Sequence, residues 1–89
     1  MFGMKLKVAI QMDHVSTIDI EGDSTFVLGL EAQRRGYEVW HYTPPELIFR
    51  DRKVTARAQP MRLRREKGNH FTLGESEIVD LAGFDVVLL

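Results

Sequence analysis

The stretch "DSTFVLGLEAQRRGYEV", residues 23–39, has the pattern of one helix that leads directly into one strand. Any residue of Asp23–Thr25 can cap a helix by accepting a backbone N–H. At the other end, Arg34–Arg35 places positive charge near the negative pole of the helix dipole. Gly36 can then adopt the left-handed conformation that closes a helix. The sequence therefore predicts a helix that ends at Gly36.

The apolar side chains of this predicted helix form one broad face. Phe26 and Leu30 are four residues apart, as are Leu28 and Ala32, so each pair lies on one side of the helix. Val27 widens the same face. We expect this face, including Val27, to pack against the core.

Strand patterns lie on both sides of the helix. Apolar residues alternate with others from Lys5 to Met12, with the period of two that is typical of a strand. Residues 37–42 combine aromatic and β-branched side chains, and Pro44–Pro45 ends that run. A strand, a helix and a strand within about 40 residues predict a parallel βαβ unit. The predicted fold class is α/β, in a small Rossmann-like domain.

The second half of the chain predicts antiparallel structure. Residues 46–66 contain two β-prone runs around Asp51–Lys53, which favours a hairpin insertion or a meander over another crossover. Gln59–Pro60 is expected to interrupt the returning arm. The segment "ESEIVDLAG", residues 75–83, predicts a short helix or one helical turn. The apolar run "FDVVLL", residues 84–89, is typical of a strand in the middle of a parallel sheet.

The composition excludes several kinds of protein. The chain has 89 residues and a formal net charge of −1, which predicts one core and no acidic partner. It has no cysteine, so disulfides, thiolate nucleophiles and sulfur-ligated metals are excluded. No run approaches the length of about 20 apolar residues that a membrane span requires, and residues 1–13 predict a strand instead of a signal peptide. We therefore expect a soluble, cytoplasmic protein with no membrane partner.

The apolar end of the chain indicates that further residues follow it. A buried strand with nothing after it is rare, because natural termini usually lie at the surface. We expect residues 1–89 to be a single amino-terminal domain of a longer protein.

The loop between the first strand and the helix is the candidate binding segment. In open α/β sheets, ligands bind beyond the carboxyl ends of the strands. Asp13, Ser16 and Asp19 lie in this loop beside His14 and Thr17, and all five can form hydrogen bonds with a polar substrate. A purely structural role as turn formers and helix caps explains the same residues.

The same loop lacks the patterns of nucleotide and metal sites. It has no G-x-G-x-x-G, and the chain has no G-x-x-x-x-G-K-[ST], so no backbone phosphate cradle is predicted. The spacing of Asp13, His14 and Asp19 matches no recurring zinc or magnesium site. No catalytic residue and no metal ligand is therefore assigned. We expect His41 to be a structural residue at the sheet rim and His70 to lie in a turn without a functional signal.

Positive charge is concentrated in residues 50–67. Eight of the twelve basic residues lie there, against Asp51 and Glu66, which gives a local net charge of about +6. Arg62 and Arg64 alternate with apolar residues, so we expect the arginines on one strand face. No aromatic side chains are interleaved with these arginines. We therefore predict a solvated face or a contact with another part of the protein, and no nucleic acid partner.

The segment from Ala9 to Val39 closely resembles the amino terminus of bacterial glutathione synthetases. The shared features are a strand ending in Met12-Asp13, an I-x-I loop at residues 18–20, D-S-T-F at residues 23–26 and L-E-A-Q-R-R-G-Y-E-V at residues 30–39. The later segments "ARAQPMRL" and "LAGFDVVLL" also look like the family's hairpin return and the strand before its substrate loop. Met1–Met4 and the Pro44–Pro45 region look individual to this sequence.

This resemblance implies the first domain of an ATP-grasp ligase, a small pre-ATP-grasp unit. Such enzymes join γ-glutamylcysteine to glycine through an acyl phosphate made from ATP, and magnesium offsets the phosphate charge. The family's ATP and magnesium residues belong to later domains, so none is carried over, and this chain alone is expected to be inactive. Asp13, Ser16 and Asp19 would face the dipeptide substrate. The resemblance also implies a homo-oligomer.

Two other interpretations remain open. The chain also fits the amino-terminal domain of another ATP-grasp carboxylate–amine ligase, which shares the architecture but not the L-E-A-Q-R-R-G-Y-E wording. It also fits a non-catalytic binding or dimerisation module that uses the basic hairpin.

Overall fold

A computed structural model describes residues 5–89 of the chain. Met1–Met4 lies outside these described residues. The start of the strand predicted over residues 1–13, and the statement that Met1–Met4 differs from the family, therefore concern residues that are not described. The strands and the α-helix are β1 (Lys7–Gln11), α1 (Ser24–Arg34), β2 (Glu38–Tyr42), β3 (Leu47–Arg50), β4 (Lys53–Leu63), β5 (Phe71–Leu73), β6 (Glu77–Asp80) and β7 (Val86–Leu88). Short 3-10 turns occupy Val15–Thr17, Pro44–Glu46 and Leu81–Gly83.

The sheet combines a parallel and an antiparallel part. Its strand order is β3-β4-β2-β1-β7, and β5 and β6 also pair with β4. Strand β1 runs parallel to both β2 and β7, with Val8 opposite Val39 and Val86. Strand β4 is antiparallel to each of its partners. The predicted α/β class, with a parallel βαβ start and an antiparallel hairpin insertion, is confirmed and is compatible with a small Rossmann-like domain.

The helix begins and ends where its sequence predicts. The Asp23 carboxylate accepts hydrogen bonds from the backbone N–H groups of Thr25 (2.8 Å) and Phe26 (3.1 Å), which would otherwise have no partner in the first turn. At the other end, Gly36 has a φ of 80°, a left-handed conformation that glycine adopts without strain. The Tyr37 N–H then donates to the Ala32 carbonyl oxygen at 3.0 Å and closes the helix.

The helix packs on the sheet through a narrower face than the sequence predicts. Phe26, Gly29 and Ala32 are buried. Val27 and Leu28, which we expected in the core, are 48% and 52% exposed, so the predicted face is wrong for these two residues. The reason is the close approach of the backbone at Gly29, since an added Cβ there would lie only 2.6 Å from the Leu63 side chain. A helix that approaches the sheet along this line turns Val27 and Leu28 outward, while Leu30 still packs against the core.

The two faces of the sheet contain separate apolar clusters. Alternate residues of a strand point to opposite faces, so Val8 and Ile10 pack beneath the helix with Val39. Ala9, Trp40 and Tyr42 pack on the other face, against Ala56 and Ala58 of β4 and the partly buried Val79, Leu81 and Phe84. The buried core therefore lies on both sides of β1 and β2.

The predicted hairpin is formed by β3 and β4, joined at Asp51–Arg52. Both turn residues have positive φ angles, 52° and 65°, as a two-residue turn of type I′ requires. The expected interruption at Gln59–Pro60 is wrong, because β4 continues to Leu63. Pro60 cannot donate a hydrogen bond, but it lies opposite Trp40 and its carbonyl oxygen accepts one from the Gly74 N–H at 2.8 Å.

The last third of the chain differs from its predicted structure in two ways. Residues 77–80 form strand β6, and only Leu81–Gly83 forms a helical turn, so the predicted helix is wrong over Glu77–Asp80. The long strand β4 leaves an edge that β6 pairs with, and this tertiary contact overrides a weak local preference. Strand β7 lies at the edge of the described sheet and not in its middle, and Val86 and Val87 are each 37% exposed.

Among the described residues, no helix is long and apolar enough to cross a membrane.

Candidate functional site

The candidate site lies at the carboxyl edge of the three parallel strands. The strand order reverses at β1, since β2 lies on one side of it and β7 on the other. In open α/β sheets, such a reversal leaves a crevice beyond the carboxyl ends of the strands, and ligands bind in it. Residues 13–22, which we call the β1 loop, follow β1 at this point. The β1 loop therefore lies where the sequence predicted a binding segment, at the carboxyl end of a parallel strand.

The β1 loop is anchored to the rest of the domain at Val15. The Val15 side chain is fully buried. Its backbone N–H donates to Nε2 of His41 at 3.3 Å. Its carbonyl oxygen lies 2.7 Å from Nε2 of His70, which must donate because a carbonyl has no hydrogen to give. Two imidazoles, 26 and 55 residues away in sequence, therefore satisfy both polar backbone groups of one loop residue.

His41 occupies a buried position in β2 and has a defined tautomer. Because Nε2 accepts from Val15, Nδ1 carries the hydrogen and points it at the Ile10 carbonyl oxygen, 3.4 Å away. Burial lowers the pKa of His41 below its usual value of 6.5, and the nearby His14 lowers it further; Ile10 and Glu46 oppose these effects. His41 is thus the structural residue that we expected, but its ring contacts the β1 loop directly.

His70 differs from its expectation. It was predicted to lie in a turn without a functional signal, yet only 7% of its surface is exposed and it binds the β1 loop through Val15. Its ring lies 5.0 Å from the Phe71 ring and 6.1 Å from the Phe26 ring, measured between centroids. The sequence carried no signal for this contact, because the two segments are brought together only by the pairing of β4 with β5.

Ser16 points its hydroxyl at the neighbouring imidazole. Its Oγ lies 2.7 Å from Nδ1 of His14, and its backbone N–H donates to the same nitrogen at 3.2 Å. Since that nitrogen accepts from the backbone, the Ser16 hydroxyl donates to it as well. Ser16 therefore retains an oxygen that can accept a hydrogen bond from a ligand, but its own hydrogen is engaged.

Asp13 and Asp19 differ in how free their carboxylates are. Asp13 is exposed and forms no side-chain hydrogen bond within residues 5–89. Asp19 accepts a hydrogen bond from the Glu21 N–H at 3.0 Å, and its carbonyl oxygen accepts from the N–H of Asp23. Asp19 thus shapes the turn that leads into the helix cap, while Asp13 is available to a ligand.

A groove of about 410 Å³ runs beside the β1 loop. Ser16 and Asp19 line it together, and Asp13 is outside its lining. The side chains of Glu21 and Lys67 add charges of both signs, and the remaining lining residues are Ile18, Ile20, Gly68 and His70. Lys67 and His70 were not predicted to belong to this site, because both come from the segment before β5. A larger depression of about 530 Å³ lies at the amino end of β2, around Gly36 and Glu38, away from the loop.

Glu46, which follows β2, adds a further carboxylate to this edge of the sheet. Its Oε1 accepts hydrogen bonds from the N–H (2.8 Å) and the hydroxyl (2.9 Å) of Thr43. Burial raises the pKa of Glu46, but these two hydrogen bonds, together with the nearby His41 and His14, outweigh it and lower the pKa overall. The spacing T-P-P-E at residues 43–46 is the signal that could have identified this residue, since it matches a capping box.

The arginines of the basic segment are partly structural. Arg62 is exposed on the strand face opposite the buried Met61 and Leu63, which confirms the predicted alternation. Arg64 donates to the Asn69 side chain at 2.8 Å and to the Phe71 carbonyl oxygen at 3.0 Å. These contacts hold the turn that brings His70 to Val15, so this part of the positive charge supports the β1 loop.

The described residues contain no cluster of metal ligands, and the N-terminus of their α-helix is capped. No group of three or more metal-ligating side chains occurs among residues 5–89. The N-terminus of α1 is occupied by the Asp23 carboxylate. We therefore assign no residue of this part of the chain to ATP or magnesium.

Comparison with known proteins identifies the family of this chain. The family model described as "Prokaryotic glutathione synthetase, N-terminal domain" matches residues 6–89. The chain is 58% identical over 86 residues to the glutathione synthetase of Mesorhizobium japonicum and 57% identical over 86 residues to that of Brucella melitensis. Each match covers 97% of this chain and 28% of the relative.

More distant relatives carry the same name. The glutathione synthetase of Yersinia pestis is 34% identical over 84 residues, which cover 94% of this chain and 26% of that protein. The chain therefore spans little more than a quarter of the length of these curated relatives. It belongs to the N-terminal domain family of the prokaryotic glutathione synthetases.

Proposed function

We propose that this chain is the substrate-side domain of an intact glutathione synthetase, which joins γ-glutamylcysteine to glycine in the cytoplasm as a homo-oligomer. The observation that carries this proposal is the family match over residues 6–89, together with relatives that are named glutathione synthetase. The domain itself supplies a rigid α/β unit whose β1 loop faces the dipeptide. The ATP and magnesium sites are assigned to parts of the protein outside residues 5–89.

The proposed reaction needs an activated carboxylate. ATP supplies the phosphoryl group, magnesium offsets its charge, and the glycine amine then displaces phosphate from the dipeptide's acyl phosphate to form the peptide bond. The residues described here take no part in these bond changes. Their role is to bind and orient the dipeptide, which lowers the entropy cost of bringing the reactants together.

The β1 loop has the groups that a zwitterionic dipeptide needs. The free carboxylate of Asp13 can accept hydrogen bonds from the ammonium group of a γ-glutamyl residue. The Ser16 oxygen can accept one from a peptide N–H. The adjacent groove has the carboxylates of Asp19 and Glu21 and the ammonium group of Lys67, so charges of both signs on the ligand find partners. A carboxylate at Asp13 is the contact that we expect to contribute most.

Replacing Asp13 tests this proposal in the intact protein. Asp13→Asn keeps the shape but removes the charge that the ammonium group would meet. A hydrogen bond to a charged group contributes about 1.5–3 kcal/mol, so we expect the KM for γ-glutamylcysteine to rise at least tenfold. The KM values for ATP and glycine should not change. Steady-state kinetics with each substrate varied in turn measures all three.

The matched control is Asp51→Asn, which removes an exposed carboxylate at the far hairpin turn. It should leave all three KM values at the wild-type level. An unchanged KM for the dipeptide in the active Asp13→Asn variant would contradict the proposed contact. It would leave Asp13 as a residue of loop structure only.

A further inference from the structure

Two buried imidazoles hold the β1 loop by one residue. We infer that His41 and His70 are positioning residues that fix the β1 loop in the orientation in which it binds the dipeptide. The identity of the substrate in this inference rests on the proposed function. The anchoring of the loop rests on the contacts of Val15 with the two histidines. Both histidines act through Val15 in this inference.

The geometry restricts the loop at its centre. Val15 is fully buried, its N–H is bound to His41 and its carbonyl oxygen is bound to His70. With both ends of one residue held, its two backbone dihedrals have little freedom. Asp13 lies two residues before this point and Ser16 directly after it, so the orientation of both follows from the position of Val15.

The two histidines come from rigid elements. His41 belongs to β2, which is paired on both sides, with Ile10 opposite it on β1 and Gln59 on β4. His70 directly precedes β5, and the Arg64 N–H donates to its carbonyl oxygen at 3.0 Å. The contact with His41 thus fixes the loop to the parallel part of the sheet, and the contact with His70 fixes it to the antiparallel insertion. This arrangement gives the insertion a role at the site.

The two contacts respond differently to protonation. His41 accepts at Nε2, so a proton there would place an N–H against the Val15 N–H and break the contact. His70 donates at Nε2, and this bond survives protonation of the ring. The titratable groups that face His41 are His14 of the β1 loop and Glu46 after β2. Acidification should therefore release the loop at its His41 end.

Kinetics of the intact protein distinguish positioning from bulk stability. Glutamine at either position can replace the Nε2 contact, whereas leucine cannot. We expect His41→Leu and His70→Leu to raise the KM for γ-glutamylcysteine about tenfold with an unchanged KM for ATP, because each variant leaves one buried backbone group of Val15 without its partner. His41→Gln and His70→Gln should recover most of that loss. In the wild type the same KM should rise as the pH falls through the pKa of His41, which burial lowers below its usual 6.5, and His41→Gln should flatten this rise.

Trp40→Phe is the matched control. Trp40 adjoins His41 in β2 but points to the other face of the sheet, where its Nε1–H donates to Glu38 at 2.8 Å. This variant should lose stability while its KM for the dipeptide stays at the wild-type value. If Trp40→Phe and the leucine variants raise the KM equally, or if the glutamine variants recover nothing, the positioning role is wrong.

Amide hydrogen exchange supplies a readout that does not depend on activity. In the intact protein, exchange of residues 15–22 should accelerate at least tenfold in both leucine variants, relative to exchange in α1. Unchanged exchange in the β1 loop would overturn the inference whatever the kinetics show. An intact wild-type protein without ligase activity would refute the proposed function instead, and the exchange of the β1 loop would then decide the positioning role alone.

Discussion

Removal of the Gln33 carboxamide is expected to destabilise the domain by about 2 kcal/mol. Gln33 lies near the end of α1, and its side chain binds the last residue of β4 twice. Its Nε2 donates to the Leu63 carbonyl oxygen at 2.8 Å, and its Oε1 accepts from the Leu63 N–H at 2.7 Å. On the edge of β4 away from β5, no strand pairs with Leu63 among the described residues, and the Gln33 side chain bonds its N–H and carbonyl group there.

The magnitude follows from what Gln33→Ala leaves behind. Leu63 is only 3% exposed, so its N–H and carbonyl group would lose their partners in a place that water reaches poorly. Each net hydrogen bond contributes about 0.5–1.5 kcal/mol, and a buried group left without a partner costs about 1–3 kcal/mol. With both bonds partly buried, we expect a loss of about 2 kcal/mol, or a drop of about 1–2 M in the urea midpoint.

Urea unfolding of the 89-residue chain measures this loss. Trp40 is the only tryptophan and is buried, so its fluorescence reports the transition. Arg34→Gln is the matched control, because it changes the neighbouring residue and breaks an exposed ion pair with Glu31. The control should leave the midpoint nearly unchanged. A change below about 0.5 kcal/mol in Gln33→Ala would refute the reasoning.

Gln33→Glu adds a test of sign. The introduced carboxylate still accepts from the Leu63 N–H but faces the Leu63 carbonyl oxygen without a hydrogen to donate. The pKa of this carboxyl should therefore be raised on folding, above its usual value of about 4.3. Its folded form binds the proton more tightly, so the variant should approach wild-type stability as the pH falls through the raised pKa. A loss of stability that does not depend on pH would contradict the bidentate contact.

Three further predictions concern stability. Burial lowers the pKa of His41, so the unfolded chain takes up a proton that the folded chain excludes. The free energy of unfolding should therefore fall as the pH drops below about 6.5, less steeply in His41→Gln, and equal slopes would argue against this. Arg52→Gly should stabilise the chain by about 1 kcal/mol in urea unfolding, because Arg52 has a φ of 65°; a loss of stability would exclude strain there. Asp23→Ala should cost about 1 kcal/mol and Asp23→Asn less, and no loss of stability in Asp23→Ala would show that the cap contributes nothing.

The parallel start of the fold was predictable because its signals are local. The Asp23 cap, the glycine at the end of α1 and the alternation in β1 each act within a few residues, and the structure confirms them. The sequence also predicted the hairpin around Asp51–Arg52. The error over Glu77–Asp80 has a different origin. A four-residue strand depends on its partner, and the edge of β4 that it pairs with lies about 20 residues earlier in the chain.

The site was only partly predictable for the same reason. The position of the β1 loop follows from topology, so Asp13, Ser16 and Asp19 could be named from the sequence. Their roles as substrate contacts stay predictions. The anchoring of Val15 by His41 and His70 depends on contacts across 26 and 55 residues, which no local pattern encodes. From the sequence alone, a histidine next to a turn, such as His70, is expected to be exposed to solvent. Only its tertiary contacts show that it is buried.

The stretch that carries the family resemblance has a structural explanation. In L-E-A-Q-R-R-G, Glu31 binds Arg34 and Arg35, and Gln33 binds the end of β4. The first two of these contacts hold the pKa of Glu31 at about 2, with the hydrogen bond from Arg34 as the largest cause. Gly36 ends the helix. Of these residues, Gln33 holds α1 against the sheet and the others stabilise or end the helix, and the proposed substrate contacts lie elsewhere, in the β1 loop.

The most direct test of the central proposal is glycine-dependent release of ADP by the intact protein with γ-glutamylcysteine. The proposal predicts that ADP release requires both the dipeptide and glycine, and that glutathione forms in equal amount. Release with another acceptor amine, but not with glycine, would indicate a different ATP-grasp ligase. An intact, folded protein that releases no ADP with γ-glutamylcysteine, whether glycine or another acceptor amine is added, would contradict the proposed function.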